Sequence, residues 1–342
     1  MQREGVVRTV ICNKPGELEL IERERPAPTS GYTLVKVSRV GICGTDLHIF
    51  GGKHPFLEYP RVMGHEFSGV VVESLGDGML AEGTNVIVNP YMACGDCRAC
   101  RKNKPNCCTN IQVLGVHVDG ALQEYLTVPN RALIPYDNMR AEEAASVEFF
   151  AIGMHAVNRA APEKGDRVLV AGAGPIGLGV ALIAKSRGAN VVLLDLNAER
   201  LANVRNRFGL ENVVQAGGSA ADELSKLTNG EMFDIVYDAT GNVHSIHSSF
   251  TYVGQGGTLC LVSVVKDDIT FPDPSFHARE MTIIGSRNST NGDFEDVIAL
   301  IKDGTIDVDL FVTHTMGLDE VPSVLGGLHG EQDSLIKAMV SL

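Results

Sequence analysis

The stretch that most limits what this chain can become runs from Arg167 to Asp195, RVLVAGAGPIGLGVALIAKSRGANVVLLD. Its opening apolar run, Val168-Leu169-Val170-Ala171, suits a strand buried on both faces. Gly172-Ala173-Gly174-Pro175-Ile176-Gly177 comes next, then a helical segment to about Arg187, then a second buried run, Val191-Val192-Leu193-Leu194, that ends in Asp195. Glycine is needed at 172 and 174 because the chain turns tightly and its backbone must approach a pyrophosphate with no side chain in the way. Gly177 lets the helix sit close to the strand, and the helix N-terminus then aims unpaired N–H groups at the phosphates. Asp195 follows Gly177 by eighteen residues, about where an acid must sit to accept hydrogen bonds from an adenosine ribose. The unit as a whole predicts a dinucleotide site. Residues 168–184 carry no charge, but a segment with four glycines is too short and broken for a membrane span. A glycine-rich packing surface would leave Asp195 unexplained.

At 342 residues the chain has room for two domains, each with its own core. With 44% hydrophobic and 21% charged residues it reads as a soluble globular protein. The net charge of −13 argues against nucleic acid and anionic membrane surfaces, both of which reward basic patches, and leaves a small-molecule partner. The first twenty residues, MQREGVVRTVICNKPGELEL, lack the charged-then-apolar layout of a secretion signal, so a cytoplasmic protein is expected. Eight cysteines in such a chain suggest metal binding or chemistry before disulfides.

In chain order, residues 1–150 read as β-rich, with Tyr32–Val37, Phe67–Val72 and Asn85–Val88 alternating between Gly, Pro and Asn breaks. From 151 to 288 the pattern turns to strand–helix–strand, with buried-strand candidates at Phe233–Asp238, Gly257–Val262 and Met281–Gly285. That alternation predicts a doubly wound parallel sheet with helices on both faces. Residues 289–342 mix a helix, Phe294 to Lys302, with short strand-like pieces. No repeat or long linker intervenes, so a site in a cleft between two domains is expected.

The sharpest local signal is Cys94-x-x-Cys97-x-x-Cys100-x7-Cys108. Four thiolates on one short loop match a closed tetrahedral zinc site that holds structure and leaves no position for substrate. Cys107 is adjacent to Cys108, but its side chain is expected to point elsewhere. A second set is dispersed: Cys43 and His48 in GICGTDLH, then His65 and Glu66 in GHE, then Glu148. One thiolate, one imidazole and carboxylates can complete a catalytic zinc with an open position. Each of them also has a plainer explanation, such as a buried core thiol, a surface pair or a helix-start charge. Spacing alone does not assemble them.

Taken together, GICGTDLH, GHE, the four-cysteine loop, DGALQEY at 119–125, VEFF at 147–150, AGAGPIG and DATG at 238–241 resemble the zinc-dependent medium-chain alcohol dehydrogenases, in the right order along nearly the whole chain. The chain looks most like polyol and sugar-acid dehydrogenases, because Glu148 stands where simple alcohol dehydrogenases carry a cysteine. The segment FHAREMTIIGSRNST, 276–290, looks like bacterial dehydrogenases of hexonates such as galactonate, gulonate or idonate. The resemblance implies a β-rich GroES-like catalytic domain over 1–150 and a Rossmann NAD-binding domain over 151–288. The tail, 289–342, would return to the catalytic domain, and the chain would form a homo-oligomer, dimer or tetramer. It further implies Cys43, His65 and Glu148 as catalytic zinc ligands, with Glu66 as direct ligand or partner through water. Relatives usually carry proline after that glutamate, whereas this chain has Phe149. Zinc with one thiolate and one carboxylate is neutral, and a second carboxylate would weaken the Lewis acid, so Glu66 and Glu148 are expected to take turns or to divide the roles.

By the same resemblance Thr45 and His48 relay the substrate proton outward, and Gly172, Gly174, Pro175, Ile176, Gly177, Asp195, Arg200, Thr240, Val262 and Arg287 line the coenzyme site. Arg287 equally suits a substrate hydroxyl or carboxylate, since guanidinium offers a bidentate fork. Asp195 favours NAD over NADP because it repels a 2′-phosphate, with Arg200 partly offsetting it. The expected reaction is oxidation of a secondary hydroxyl of a hexonate or polyol with hydride passing to NAD. Butanediol-type or threonine-type dehydrogenases, a zinc-free quinone reductase and a non-catalytic NAD-binding redox sensor are the alternatives. His117, His155 and His277 are read as core or loop histidines.

Overall fold

The computed structural model describes residues 5–53, 57–328 and 335–342; the first four residues of MQREGVVRTVICNKPGELEL lie outside these. The chain divides into two compact units, Met1–Phe149 with Thr290–Leu342, and Phe150–Ser289. The division falls inside one long helix, Ala141–Ala160.

The second unit is built on a six-stranded sheet whose order is Val213–Gln215, Asn190–Asp195, Arg167–Ala171, Phe233–Asp238, Val253–Leu261, Thr282–Gly285. Every neighbouring pair runs parallel. Parallel strands need crossovers, and helices Pro175–Ser186, Ala198–Phe208 and Val243–Tyr252 supply three of them. The strands are largely apolar, with Leu169, Val192, Leu194, Val236 and Leu259 in the core, as burial on both faces requires. Strand order reverses beside Arg167–Ala171, so the carboxyl ends of this strand and of Phe233–Asp238 flank the crevice where doubly wound sheets bind ligands.

The first unit carries a seven-stranded sheet ordered Val312–Gly317, Lys337–Ser341, Tyr32–Ile42, Glu66–Ser74, Asn85–Val88, Leu133–Pro135, with Tyr125–Pro129 also paired to Tyr32–Ile42. Val35 and Val37 point into the core while Lys36 between them is exposed, the alternation expected of a strand with one wet face. Strand Lys337–Ser341 lies antiparallel to Tyr32–Ile42, so the tail extends the sheet beside residues 39–42. The tail's helix starts at Asn291, earlier than apolar spacing suggests, because Thr290 caps it: the Thr290 N–H and hydroxyl both donate to Asp293 Oδ2 at 2.7 Å. Among the described residues no helix is long and apolar enough to cross a membrane.

Candidate active site

Cys43 follows the Tyr32–Ile42 strand and caps a short helix, Gly44–Phe50. Asp46, fully buried in that helix, accepts the Cys43 N–H through Oδ2 at 2.9 Å and the Gly64 N–H through Oδ1 at 3.1 Å. One carboxylate therefore ties together the two turns that present Cys43 and His65. Glu66 opens the next strand, Glu66–Ser74, directly opposite Gly41. The result is convergence: a donor atom from each of Cys43, His65 and Glu66 lies within 4.8 Å of the others. Glu148, buried two turns into helix Ala141–Ala160, stands outside that tight set but close enough for its charge to act on His65 and to feel that of Glu66.

The electrostatics around these residues call for a cation. Burial pushes the Glu148 carboxyl up to about 7, with Glu66 adding to the rise while His65 opposes it. Burial disfavours a charged His65, yet Asp46, Cys43 and Glu148 outweigh it and hold the imidazole well above its ordinary value. Its Nδ1 is buried with no hydrogen-bond partner, 3.8 Å from Asp46 Oδ1. A thiol, an imidazole and carboxylates this close, in surroundings that favour positive charge, fit a zinc ion.

Three further side chains support this set. Lys337, 3% exposed, donates to Glu66 Oε1 at 2.8 Å and Oε2 at 2.6 Å. Burial works against its charge, and Glu66, Cys43 and Glu148 more than restore it. Phe149 offers its ring face to that ammonium, 4.4 Å from the centroid. Tyr91, half-buried, donates its hydroxyl to Glu148 Oε1.

The four-cysteine loop is a separate cluster. The sulfurs of Cys94, Cys97, Cys100 and Cys108 lie within 4.8 Å of one another. Cys94 and Cys108 are 3.4 Å apart and Cys97 and Cys100 3.5 Å, far beyond a covalent bond of about 2.05 Å. Cys107 is exposed and stands apart from the set. Backbone N–H groups at Cys94, Cys97 and Asn110 point at these sulfurs. The backbone N–H groups of Asp96 and Cys97 draw Cys94, and those of Cys100 and Thr109 draw Cys97, below the ordinary thiol value, while burial and neighbouring sulfurs push Cys100 above it. Four sulfurs cannot all ionise at this spacing without a cation among them, and a closed zinc site meets that need.

In the second unit, the phosphate loop has the form its glycines allow. Gly172 sits at φ +98°, and a Cβ at Gly177 would collide with the Gly172 carbonyl oxygen. A Cβ at Gly174 would meet nothing within 4 Å, which leaves open space at the helix N-terminus for a pyrophosphate. Asp195 accepts the Ala173 N–H at 2.8 Å and the Asn197 N–H at 2.8 Å, and Arg200 pairs with it at 3.3 Å. Thr240 donates to Asp238 Oδ1 at 2.6 Å, and the other oxygen of Asp238 accepts Ser245 and Ser249. Val262 donates its N–H to the Asp238 carbonyl at 2.9 Å, so Asp238 organises this second loop from a buried position. A 2.7 Å bond from the Gly172 N–H to the Leu194 carbonyl fastens the first loop to its strand end in the same way.

The alcohol dehydrogenase GroES-like domain family matches residues 29–138, and the zinc-binding dehydrogenase family matches residues 175–303. Over 312 residues the chain is 43% identical to the L-galactonate-5-dehydrogenase of Escherichia coli K12, across 91% of this chain and 92% of that protein. The chain belongs to the zinc-type alcohol dehydrogenase family. A crystal structure described as the short chain alcohol dehydrogenase RspB from E. coli CFT073, complexed with cofactor NADH, superposes with a TM-score of 0.92 at 31% identity, covering 99% of this chain and 100% of that one. The L-idonate 5-dehydrogenase from E. coli K-12 gives a TM-score of 0.90 at 25% identity, covering 98% of each chain.

Within this zinc-type dehydrogenase, Thr45 is half-buried and His48 exposed on the short helix that begins after Cys43, so the helix leads from the donor set outward. Arg287 is exposed just after the edge strand Thr282–Gly285, and Pro175 and Ile176 form the first turn of the phosphate-loop helix. The residues that motif reading missed are Asp46, Tyr91, Asp238 and Lys337. Asp46 had a usable signal, an acid three residues after a helix-starting cysteine. Lys337 had another, a lone charge ahead of the apolar run Ala338-Met339-Val340.

Proposed function

We propose that this dehydrogenase oxidises a secondary hydroxyl of a sugar acid, a hexonate in particular, or of a polyol, with NAD as hydride acceptor. The observation that carries the reading is the convergence of Cys43, His65 and Glu66, with Glu148 alongside, in the same unit as a separate four-thiol cluster. The relatives named for galactonate and idonate support the sugar-acid class. Cys43 and His65 would hold the catalytic ion together with a carboxylate, Glu66 or Glu148, and Cys94, Cys97, Cys100 and Cys108 the structural one. When bound, the catalytic zinc supplies a Lewis acid that eases loss of the substrate hydroxyl proton, as it lowers the pKa of bound water to about 7 in other sites. Thr45 would relay that proton, its hydroxyl accepting it while giving up its own toward His48, which passes a proton to solvent, an imidazole being suited to transfer near neutral pH. Gly172, Gly174 and the Pro175–Gly177 turn cradle the coenzyme pyrophosphate, and Asp195 faces its adenosine ribose.

Asp195 argues for NAD over NADP, and its pairing with Arg200 makes the preference moderate, since the guanidinium offsets part of the repulsion. A homo-oligomer in the cytoplasm completes the proposal, checked by light scattering and fractionation. The deciding experiment offers hexonates, hexitols and pentitols with NAD or NADP and follows absorbance of the reduced coenzyme, alongside zinc analysis. Turnover of a hexonate with NAD and about two zinc ions per chain is the expected result. One zinc and no turnover would leave a coenzyme-binding sensor, and higher efficiency with NADP would overturn the role given to Asp195.

A further inference from the structure

The two loops at the crevice of the second unit meet at one glycine. A Cβ built on Gly172 would come 3.1 Å from Thr240 Cγ2 and 3.2 Å from the Ala239 carbonyl carbon. The room left by its missing side chain is therefore filled by the second loop. Gly174, whose Cβ would meet nothing within 4 Å, keeps its room for a ligand. The Ala239 N–H also donates to the Ala171 carbonyl at 2.9 Å, which fastens the same two segments.

What turns the Thr240 methyl toward Gly172 is Asp238. A threonine carries two groups on Cβ, so fixing its hydroxyl fixes its methyl. Thr240 Oγ1 donates to Asp238 Oδ1 at 2.6 Å and accepts the Asn242 N–H at 3.2 Å. Asp238 is 1% exposed, and every bond to its carboxylate comes from a donor. The Thr240 N–H and hydroxyl meet Oδ1, and the Ser245 and Ser249 hydroxyls meet Oδ2 at 2.8 and 2.9 Å. Those bonds make a buried charge tolerable, and only a carboxylate can accept on both of its oxygens.

We propose that Asp238 is a positioning residue for coenzyme binding. By holding the Thr240 hydroxyl it sets the Thr240 methyl against Gly172 and keeps the phosphate loop in shape before the coenzyme arrives. The inference rests on the coenzyme reading above. From one side the loop is already held, since Gly172 N–H bonds the Leu194 carbonyl and Ala173 N–H bonds Asp195. Thr240 closes it from the other side. A loop held on one side only would be ordered by the coenzyme itself, and that ordering weakens binding.

Two substitutions of one residue separate the parts of this link. Thr240→Val keeps the shape and deletes the hydroxyl, whereas Thr240→Ser keeps the hydroxyl and deletes the methyl. The full chain, both variants, Asp238→Asn and Asp238→Asn/Thr240→Val are titrated with NADH by its fluorescence. Amide hydrogen exchange over residues 171–174 is followed in the absence of coenzyme. Each single variant is expected to weaken NADH binding about five- to tenfold and to speed exchange over 171–174. The double variant matches Asp238→Asn, because both changes cut the same link. Thr240→Ser with wild-type affinity and exchange overturns the proposal: Asp238 would then only brace helix Val243–Tyr252 through Ser245 and Ser249. A double variant whose loss is the product of the two single losses overturns it as well. Where Asp238→Asn does not fold, the two Thr240 variants decide under the same expectations. A wild-type chain that binds no NADH would instead remove the coenzyme reading beneath the proposal; NADH bound equally well by Thr240→Ser removes only the link through Thr240.

Discussion

The two metal-type clusters of the first unit are built in opposite ways. Cys94, Cys97, Cys100 and Cys108 come from one short loop, three of them half-buried or exposed, and their partners are mainly the loop's own backbone N–H groups. Cys43, His65, Glu66 and Glu148 come from three separate segments, three of the four are buried, and each carboxylate leans on a side chain from elsewhere. Closing a short loop costs little chain entropy, so the loop cluster needs only its own spacing. The dispersed cluster exists only once the sheet, the Gly44–Phe50 helix and the tail strand are in place. A site with an open position must be held from outside, because no closed ligand shell holds it from within.

The largest expected effect separates the two clusters. Cys43→Ser removes a ligand from the open set and should cut turnover on the order of 10³-fold while the chain stays folded with about one zinc. Metal analysis and turnover measured together check it. Retained turnover with one zinc missing would mean that the loop cluster is the reactive one. The mirror variant, Cys97→Ser, should lose the loop zinc and several degrees of thermal midpoint while the dispersed set keeps its ion, read by calorimetry and metal content.

The same contrast governs what is legible in the chain alone. The four cysteines and the glycine loop are local patterns, and a local pattern carries its own geometry. The parallel sheet of the second unit is equally legible, since buried runs alternate with helices and each run can be a strand only if both its faces are covered. Glu66 and Lys337 stand 271 residues apart, and nothing near either one names the other. What the sequence does show is a charge beside an apolar run, Glu148 before Phe149-Phe150-Ala151 and Lys337 before Ala338-Met339-Val340. A lone charge in such company must find a partner or a metal when it is buried. The partner's identity comes from topology, and topology is what one sequence does not spell out.

A smaller effect should come from Asp46, the residue that joins two ligand-bearing turns. Asparagine keeps one acceptor oxygen but turns an NH₂ group toward the second N–H, so Asp46→Asn leaves either Cys43 N–H or Gly64 N–H without its bond. Zinc affinity at the dispersed site should fall about 10- to 100-fold, measured by competition with a chelator, with the loop zinc unaffected. Equal loss from both clusters would show that Asp46 supports the unit as a whole rather than the open site.

The smallest effect should separate supports that set charge from supports that set direction. Tyr91 and Lys337 each hold a carboxylate, but Lys337 brings a positive charge and Tyr91 a neutral hydroxyl. Tyr91→Phe therefore removes orientation and leaves the charge count around Glu148 as it was. A net hydrogen bond is worth about 1 kcal/mol, so turnover should fall about fivefold, with zinc content unchanged. Loss of the ion in Tyr91→Phe would mean that the hydroxyl is part of what binds it. A drop confined to turnover would mean that a carboxylate already held by the metal still needs a second contact to point the right way.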